Sequence, residues 1–315
     1  MQETLNNVFI AGQLVKVDLE PKKVNVKDEK GNIVGQDDAL SGSLILRTTD
    51  GSEHEVSYYS RKTKKDGTAN KNYSALETVK REYKSLEHFP NEADVVRIGS
   101  GQFSVNDYKS QRDGEVKTYI GTKANFVNRL SDKDLETTPL EGKFEIEGVV
   151  ESIKEESYRN EATGNYRIVV NVLGYNGTII PVTVTVVKEM AEAFMGAGFF
   201  EGGYAKFTGK LVNTKETQEV REEMAFGEAN VKVVTKTVSR FEVTGGSPMG
   251  MPADNKIEDA AYEQAKSKRK LKLKEIKEKE NNSSQSSNTG NNPFGGGQSQ
   301  PTQPSGNPFA NPFAK

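Results

Sequence analysis

The stretch at 8–15 reads VFIAGQLV, and residues 144–150 repeat its pattern as FEIEGVV. A second glycine-containing stretch follows in each half, VRIGSGQF at 96–103 and AKFTGKL at 205–211. Glycine inside an alternating strand usually marks a bulge or a sharp bend, and small closed barrels need such bends. The duplicated pattern therefore predicts two small β-barrels in one chain.

Composition limits what such a chain can do. Its 315 residues suggest about two domains plus extra segments. The net charge is −2, so any affinity for nucleic acid must come from local basic patches. There are no cysteines and two histidines, His54 and His88. Thiolate zinc sites and disulfides are thereby excluded, and a nucleophile that depends on histidine is disfavoured.

We therefore expect neither an enzyme nor a bound cofactor or metal, because no pair of carboxylates has a recognisable catalytic spacing. His54, between Glu53 and Glu55, is interpreted as a surface or strand-pairing histidine. The N-terminus lacks a basic segment before an apolar core, and no run of about 18 apolar residues occurs. A cytoplasmic protein is expected, because a chain without cysteine fits a reducing compartment.

The first module is predicted to span residues 1–132. Asp50-Gly51 between two alternating stretches indicates a hairpin, whereas the polar stretch 18–41 is expected to be irregular. Ser74 and Glu77 form a capping box for a helix predicted from Ala75 to about His88. The five predicted strands cover about 7–17, 43–48, 54–59, 94–108 and 116–130.

The second module is predicted at 142–246, after a polar linker at 133–141. A short helix at Lys188–Met195 occupies the place of the longer first helix. Each module thus has three strands, then a helix, then two strands, which is the order of the OB barrel. An SH3-like barrel lacks the helix, and an immunoglobulin sandwich needs about seven strands. We predict an all-β fold of two tandem OB-fold barrels. The strands of the second are expected at about 143–157, 165–175, 178–187, 203–216 and 229–243.

A charged helix is predicted at 254–280, and it admits two interpretations. It is either a solvated, partly formed helix or a basic arm that lies along a nucleic-acid backbone. Residues 281–315 are rich in Asn, Ser, Gln, Gly and Pro and are expected to be disordered. Asn-Pro-Phe occurs there three times, either by neutral drift or as a docking motif that presents Phe294, Phe309 and Phe313.

Tyrosines interleaved with cations mark a candidate binding surface. Single-stranded nucleic acid is bound by aromatic rings that stack on bases and by cations that follow the phosphates. In an OB barrel this face comprises strands two and three with the loops that join strands one to two and four to five. One group runs from the third strand of the first module into the next loop and comprises Tyr58, Tyr59, Arg61, Lys62, Lys64, Lys65, Lys71 and Tyr73. A second group frames the hairpin of strands four and five and comprises Tyr108, Lys109, Arg112, Lys117 and Tyr119.

An ordinary lysine-rich surface is the alternative interpretation. Alternation along a strand turns one ring of the pair Tyr58 and Tyr59 inward, so at most one of them stacks. The second module carries a comparable but sparser set, whose loop is mixed in charge. Its candidates are Tyr158, Arg159, Tyr166 and Arg167.

The first module resembles the bacterial single-stranded-DNA-binding proteins. The stretches NNVFIAGQL at 6–14, HEVSYYS at 54–60 and DVVRIGSGQF at 94–103 are similar to the first, third and fourth strands of that family, and the hairpin at Tyr108 and the stretch from Tyr119 to Phe126 are similar to its last strands. The tail is similar in style, although it contains no acidic residue and ends in Lys315. There is no tryptophan, so stacking falls to tyrosine and phenylalanine. A divergent version from a bacteriophage fits these features.

The resemblance implies a protein that coats single-stranded DNA in replication, recombination or repair and recruits partners through its tail. Two barrels per chain imply a monomer or a low-order homo-oligomer rather than the family's usual tetramer. Tyr59, Tyr108 and Tyr119 are the expected stacking residues. The expected phosphate contacts are Arg61, Lys62, Lys64, Lys65, Lys109, Arg112 and Lys117. The alternative is an adaptor in which both barrels contact proteins and the tail is the functional element.

Overall fold

The computed structural model describes residues 3–158, 160–222, 230–255 and 257–283, without the side chains of 215–222, 230–236 and 279–283. These residues are mostly in β-strands. The strands are β1 (Asn6–Lys27), β2 (Ile33–Arg47), β3 (Glu53–Arg61), β4 (Val95–Gly99), β5 (Gln102–Lys109), β6 (Val116–Lys123), β7 (Phe126–Arg129), β8 (Gly142–Tyr158), β9 (Glu161–Gly174), β10 (Thr178–Val186), β11 (Tyr204–Glu222) and β12 (Asn230–Pro248). The α-helices are α1 (Lys71–Glu82), α2 (Asp132–Leu135), α3 (Lys188–Gly196) and α4 (Asp259–Ser283).

Strands β1 to β7 form a closed barrel. Strand β1 pairs with β2 and β2 with β3, both antiparallel, and β3 then pairs in parallel with β6. Strand β6 pairs with β5, while β4 pairs with β1 and closes the ring. The fourth predicted strand is broken into β4 and β5 at Ser100, whose φ is 54°, and Gly101. This five-stranded order is that of the OB fold.

Strands β8 to β12 pair in the same order. Strands β8, β9 and β10 are successive antiparallel neighbours, and β10 pairs in parallel with β12 at Val184 and Thr185. Strand β11 is antiparallel to both β12 and β8. Helix α3 follows β10 in sequence, as α1 follows β3.

The repeated glycines lie where the first strand of each set crosses its neighbour closely. A Cβ on Gly12 would lie 2.4 Å from the carbonyl oxygen of Arg47, and a Cβ on Gly148 would lie 2.4 Å from that of Asn171. The register shifts two residues later in both strands, after Leu14 and after Val150. The prediction that these glycines mark bends is therefore confirmed.

The two sets of strands are joined into one sheet and one core. The first residues of β1 pair with β8, from Asn6 opposite Ile146 to Ile10 opposite Gly142. The Asn6 side chain, largely buried, donates to the carbonyl of Phe103 at 3.0 Å and accepts from its N–H at 2.9 Å.

Three phenylalanines, one each from β5, β8 and β12, complete the joint. The ring of Phe103 lies 5.9 Å from that of Phe144 and 4.7 Å from that of Phe241, centroid to centroid. Phe103 and Phe144 are almost fully buried, so side chains from both sets of strands share a single hydrophobic cluster.

Two local predictions in the first set are wrong. The stretch 18–41 is not irregular, because β1 and β2 continue as a paired ribbon as far as Lys27 opposite Ile33. Helix α1 starts at Lys71 rather than Ala75, since the Asn70 side chain caps it and also donates to the carbonyl of Arg61. The helix ends at Glu82 because the following backbone pairs elsewhere: the N–H of Leu86 donates to the carbonyl of Leu14.

Helix α4 is docked on the strands, not solvated on all sides. Ile257, just before it, and Ala265 are buried against the second set of strands. The Tyr262 hydroxyl accepts a hydrogen bond of 2.8 Å from the Asn171 side chain. The interpretation of a solvated helix is therefore wrong for this face.

His54 is also buried, which corrects its interpretation as a surface residue. Its Nε2 lies 3.4 Å from the Thr48 hydroxyl and faces Gly142 at the joint between the two sets of strands. Burial lowers the pKa of His54 despite the nearby charge of Asp50, so the imidazole packs in its neutral form. Within the described residues no helix is long and apolar enough to cross a membrane, and no cluster of residues is suited to hold a metal.

We predict that Gly12→Ala and Gly148→Ala each lower the free energy of unfolding by about 1–3 kcal/mol, because the added methyl group meets a backbone carbonyl that cannot rotate away. Urea denaturation followed by circular dichroism measures this. Gly35→Ala is the matched control, since a Cβ there meets nothing within 4 Å, and its effect should stay within about 0.5 kcal/mol. Equal stability of all three variants would contradict the prediction.

Candidate nucleic-acid interface

Three exposed tyrosines lie on the outer side of one sheet, which we call the tyrosine face. It comprises the outward side chains of β3, β5 and β6. Tyr59 is 58% exposed, Tyr108 45% and Tyr119 55%, whereas Tyr58 is only 3% exposed. The alternation of strand side chains explains this division, because Val56, Tyr58 and Ser60 point into the barrel.

The strand register places the tyrosines on the same side. Ser57 of β3 pairs with Lys123 of β6, and Tyr59 and Tyr119 lie an even number of residues from these partners. Tyr108 is directly opposite Lys117, and Tyr119 is directly opposite Asn106. All of these side chains therefore project from the outer surface.

The absence of a side chain at Gly121 leaves room for the ring of Tyr119 on the same strand. A Cβ on Gly121 would lie 3.0 Å from Cε1 of Tyr119, so any larger residue would displace the ring. Partial burial and the charge of Glu55 raise the pKa of Tyr119, and its hydroxyl therefore stays protonated at neutral pH. The ring is a neutral, supported platform on which a base can stack.

A depression of about 630 Å³ lies beside Tyr59 on this face. Its lining is polar and small and includes one cation, Lys123, and one acid, Glu55. The other lining side chains are mostly hydroxyl or amide groups that can hydrogen-bond to a sugar–phosphate backbone. They include Ser41, Ser43, Ser57 and Asn125.

A cleft of about 680 Å³ separates Tyr119 from the second set of strands. Arg167 of β9 and Arg240 of β12 line the other wall, together with hydroxyl groups of Thr183 and Thr185. Arg240 is engaged by Glu242, with 2.8 Å between its Nη2 and the carboxylate. Arg167 is exposed and has no ion pair among the described residues. Glu156 also lines the cleft.

Several of the predicted phosphate contacts are already paired with carboxylates, and Arg61 and Lys62 bind those of the ribbon of β1 and β2. Nε of Arg61 lies 3.9 Å from the Asp37 carboxylate, and Nζ of Lys62 lies 3.7 Å from Asp38. Lys23 also pairs with Asp38 at 2.6 Å, and this hydrogen bond holds the pKa of Asp38 below its ordinary value. The ribbon of β1 and β2 supplies both acids, so these cations bind the ribbon and are less available to phosphates.

Of the remaining predicted cations, two have partners on or near the hairpin of β5 and β6, and the other four are exposed. Lys117 pairs with Asp113 at 2.8 Å on the hairpin of β5 and β6, and Nζ of Lys109 lies 3.5 Å from the carbonyl of Lys277. The others are exposed on the loop before α1, on its first residue and at the hairpin tip: Lys64, Lys65, Lys71 and Arg112.

Three predicted tyrosines do not offer a free ring. Tyr58 is in the barrel core, and Tyr73, in the first turn of helix α1, is buried against the same hydrophobic cluster, so neither can stack on a base and that part of the prediction is wrong. Tyr166 is half-buried, with its ring 6.1 Å from that of Phe194. Tyr158 is exposed at the end of β8. Arg159 and the tail phenylalanines Phe294, Phe309 and Phe313 lie outside the described residues.

Sequence reasoning missed Lys123 and the serines around it. Ser57 lies two residues before Tyr59, and Lys123 four residues after Tyr119, so strict alternation would have placed both on the tyrosine face. It also missed Arg240 and the threonines of the cleft, and no sequence signal identifies them. They come together only because the hairpin of β5 and β6 contacts β10.

Comparison with known proteins identifies the family. The YorF family model matches residues 4–282, so the chain belongs to the YorF family. No curated protein matches the chain.

Two similar solved structures are of the single-stranded DNA binding protein from Thermus aquaticus. A deletion variant is 15% identical over 79% of this chain and 96% of that one, with a TM-score of 0.39. The wild type is 16% identical over 79% and 94%, with a TM-score of 0.38. A replication protein A heterotrimer bound to single-stranded DNA is 12% identical over 81% and 51%, with a TM-score of 0.17. At these TM-scores the likenesses decide neither fold nor function.

Proposed function

We propose that this chain is a tandem OB-fold protein that binds single-stranded DNA with little sequence preference. The observation that carries the proposal is the tyrosine face, where Tyr59, Tyr108 and Tyr119 are exposed on one side of a barrel. Every base has an aromatic face, so such rings bind strands of any sequence. The two OB modules are assigned to residues 1–132 and 142–246.

The phosphates follow the polar groups between the rings. Lys123 and the hydroxyl-lined depression lie next to Tyr59, and Lys117 lies opposite Tyr108. Binding then releases the counterions of each contacted phosphate, which makes the affinity fall with salt.

The strand continues through the cleft into the second module. Tyr119 is at one wall of the cleft and Arg167 at the other, so a strand that covers the tyrosine face and continues past Tyr119 crosses the cleft to Arg167. Such a path makes one binding site from two barrels.

In the cell, the protein would coat single strands exposed in replication, recombination or repair. The three Asn-Pro-Phe motifs of the tail would recruit partner proteins. A phenylalanine exposed in a polar, low-complexity segment gains nothing unless a partner covers it.

The tyrosine face is tested by replacing each ring. Tyr59→Ala, Tyr108→Ala and Tyr119→Ala should each raise the Kd for oligo-dT by about 5- to 160-fold, the equivalent of one stacked base. Fluorescence anisotropy of a labelled oligonucleotide at low salt measures Kd.

Tyr175→Ala is the control, because Tyr175 is 75% exposed but lies on the turn after β9, a strand that pairs with none of β3, β5 and β6. It should leave Kd unchanged. A Kd above about 10 µM for the unaltered protein would refute strand binding. Unchanged affinity in all three variants would instead favour an adaptor whose barrels bind proteins.

The path through the cleft is tested with oligonucleotides of two lengths. One OB barrel covers about 4–16 nucleotides, so a strand longer than this reaches Arg167 and a short one does not. Arg167→Gln should weaken binding of the long strand only and lower its salt slope by about 0.7, the loss of one phosphate contact. Arg97→Gln is the control, since this exposed arginine is on β4, which pairs with neither β3 nor β6. An equal effect on both lengths would contradict the path.

The tail is tested separately from strand binding. Replacing Phe294, Phe309 and Phe313 together by Ala should remove proteins that co-purify with the unaltered chain while Kd for oligo-dT stays within about twofold. The retention of every co-purifying protein by the variant would contradict the docking role.

A further inference from the structure

One guanidinium joins three elements of the fold. Arg269 of α4 donates to the Asp107 carboxylate from both terminal nitrogens, at 3.1 and 2.9 Å. It also donates to the Thr118 hydroxyl at 3.1 Å and to the carbonyl of Ile179 at 3.4 Å. Asp107 is on β5, Thr118 on β6 and Ile179 on β10, so the side chain ties α4 to both sets of strands.

This ion pair is shielded from water. The Asp107 side chain is fully buried and that of Arg269 is 15% exposed. Burial alone would raise the pKa of Asp107, but hydrogen bonds from Thr118 and Arg269 and the charges of Arg269 and Lys272 hold it below its ordinary value. A buried two-pronged pair of this kind fixes geometry more strictly than an exposed one.

The hairpin of β5 and β6 depends on this support. Strand β6 pairs with β3 only at Thr122 and Lys123, among the pairings of the described residues. Beyond that point, within the part of the chain that the structure describes, the backbones of the two strands pair only with each other, and α4 and β10 both contact the hairpin. Two lysines of α4 add further contacts with the hairpin, Lys272 at 3.4 Å from Asp107 and Lys277 at 3.3 Å from Glu115.

The residues that Arg269 holds are the immediate neighbours of two stacking rings. Asp107 and Thr118 are directly opposite each other in the hairpin. Tyr108 follows Asp107 and Tyr119 follows Thr118, and successive strand residues point to opposite sides. Helix α4 therefore holds the rear of the hairpin while its front carries the tyrosines.

We propose that Arg269 is a positioning residue for the strand-binding face: it holds the hairpin so that Tyr108 and Tyr119 lie in line with Tyr59. The inference rests on the proposed function, and it assigns α4 a role distinct from that of a basic arm on the DNA backbone. The charge of Arg269 is neutralised by its ion pair with Asp107, and Arg269 does not contact the DNA strand.

Asp107→Asn distinguishes a positioning role of Arg269 from a direct contact with DNA, because the two roles predict opposite changes in the affinity for DNA. The substitution removes a negative charge and releases Arg269, so electrostatics alone predicts tighter DNA binding. Loss of the grip on the hairpin predicts weaker binding.

The experiment compares Arg269→Gln, Arg269→Lys and Asp107→Asn with Lys270→Gln, which removes an exposed charge one residue away on the same helix. Kd for oligo-dT is measured over a salt series, and thermal unfolding is recorded by circular dichroism.

Arg269→Gln and Asp107→Asn should each raise Kd at least about fivefold, which is the lower value for the loss of one stacked ring, and should leave the salt slope unchanged. The Kd of Arg269→Lys should lie between theirs and that of the unaltered protein, because lysine keeps the charge but cannot bind the carboxylate through two nitrogens. Lys270→Gln should bind within about twofold of the unaltered protein.

A spectroscopic reporter tests the grip without DNA. The chain contains no tryptophan, so Tyr119→Trp introduces a single fluorophore at the hairpin. Adding Arg269→Gln should lower its steady-state anisotropy, whereas adding Lys270→Gln should not.

Three results would overturn the inference: tighter binding by Asp107→Asn, a salt slope of Arg269→Gln lower by about 0.7, or an unchanged anisotropy of the reporter. If Arg269→Gln does not fold, the Arg269→Lys and Asp107→Asn variants carry the same test. Failure of the unaltered protein to bind oligo-dT would refute the proposed function alone, because the reporter still measures whether Arg269 holds the hairpin.

Discussion

The backbone pairing of the first residues of β1 with β8 is the interaction on which the rest of the molecule depends. Asn6 satisfies both backbone groups of Phe103 next to the break between β4 and β5. A buried amide left without these partners would cost about 1–3 kcal/mol for each unsatisfied group. The same contact places Phe103 against Phe144 and Phe241, so the two sets of strands pack as one body.

The joint between the two sets of strands decides where the aromatic and charged side chains of the surface come together. Because the modules share a core, the hairpin of β5 and β6 reaches over β10 and forms one wall of the cleft. Its outer side carries Tyr108 and Tyr119, and its inner side carries the Asp107 carboxylate that receives Arg269. The hairpin thus belongs to the first barrel by its strand pairing and also contacts the second set of strands.

Much of the architecture could be predicted because it follows from local rules. Strand alternation, the Asp50-Gly51 turn and the repeated glycines each act over a few residues, and the structure confirms all three. The errors have a common origin in competition from distant partners. Asn70 caps α1 because the end of β3 accepts a hydrogen bond from its side chain, and the polar stretch is ordered because the backbones of β1 and β2 continue to pair as far as Lys27 opposite Ile33, with Lys23 and Asp38 paired across the ribbon.

The sequence by itself determined the duplicated strand pattern and that one ring of the pair Tyr58 and Tyr59 faces inward, because both depend on periodicity along the backbone. Only the tertiary structure decided which cations remain available, since Arg61 and Lys62 meet their acids across the sheet whereas Lys123 and Arg167 do not. It also decided which groups α4 contacts. The sequence marks that helix as basic, but only the packing of the two sets of strands places Asp107 against Arg269.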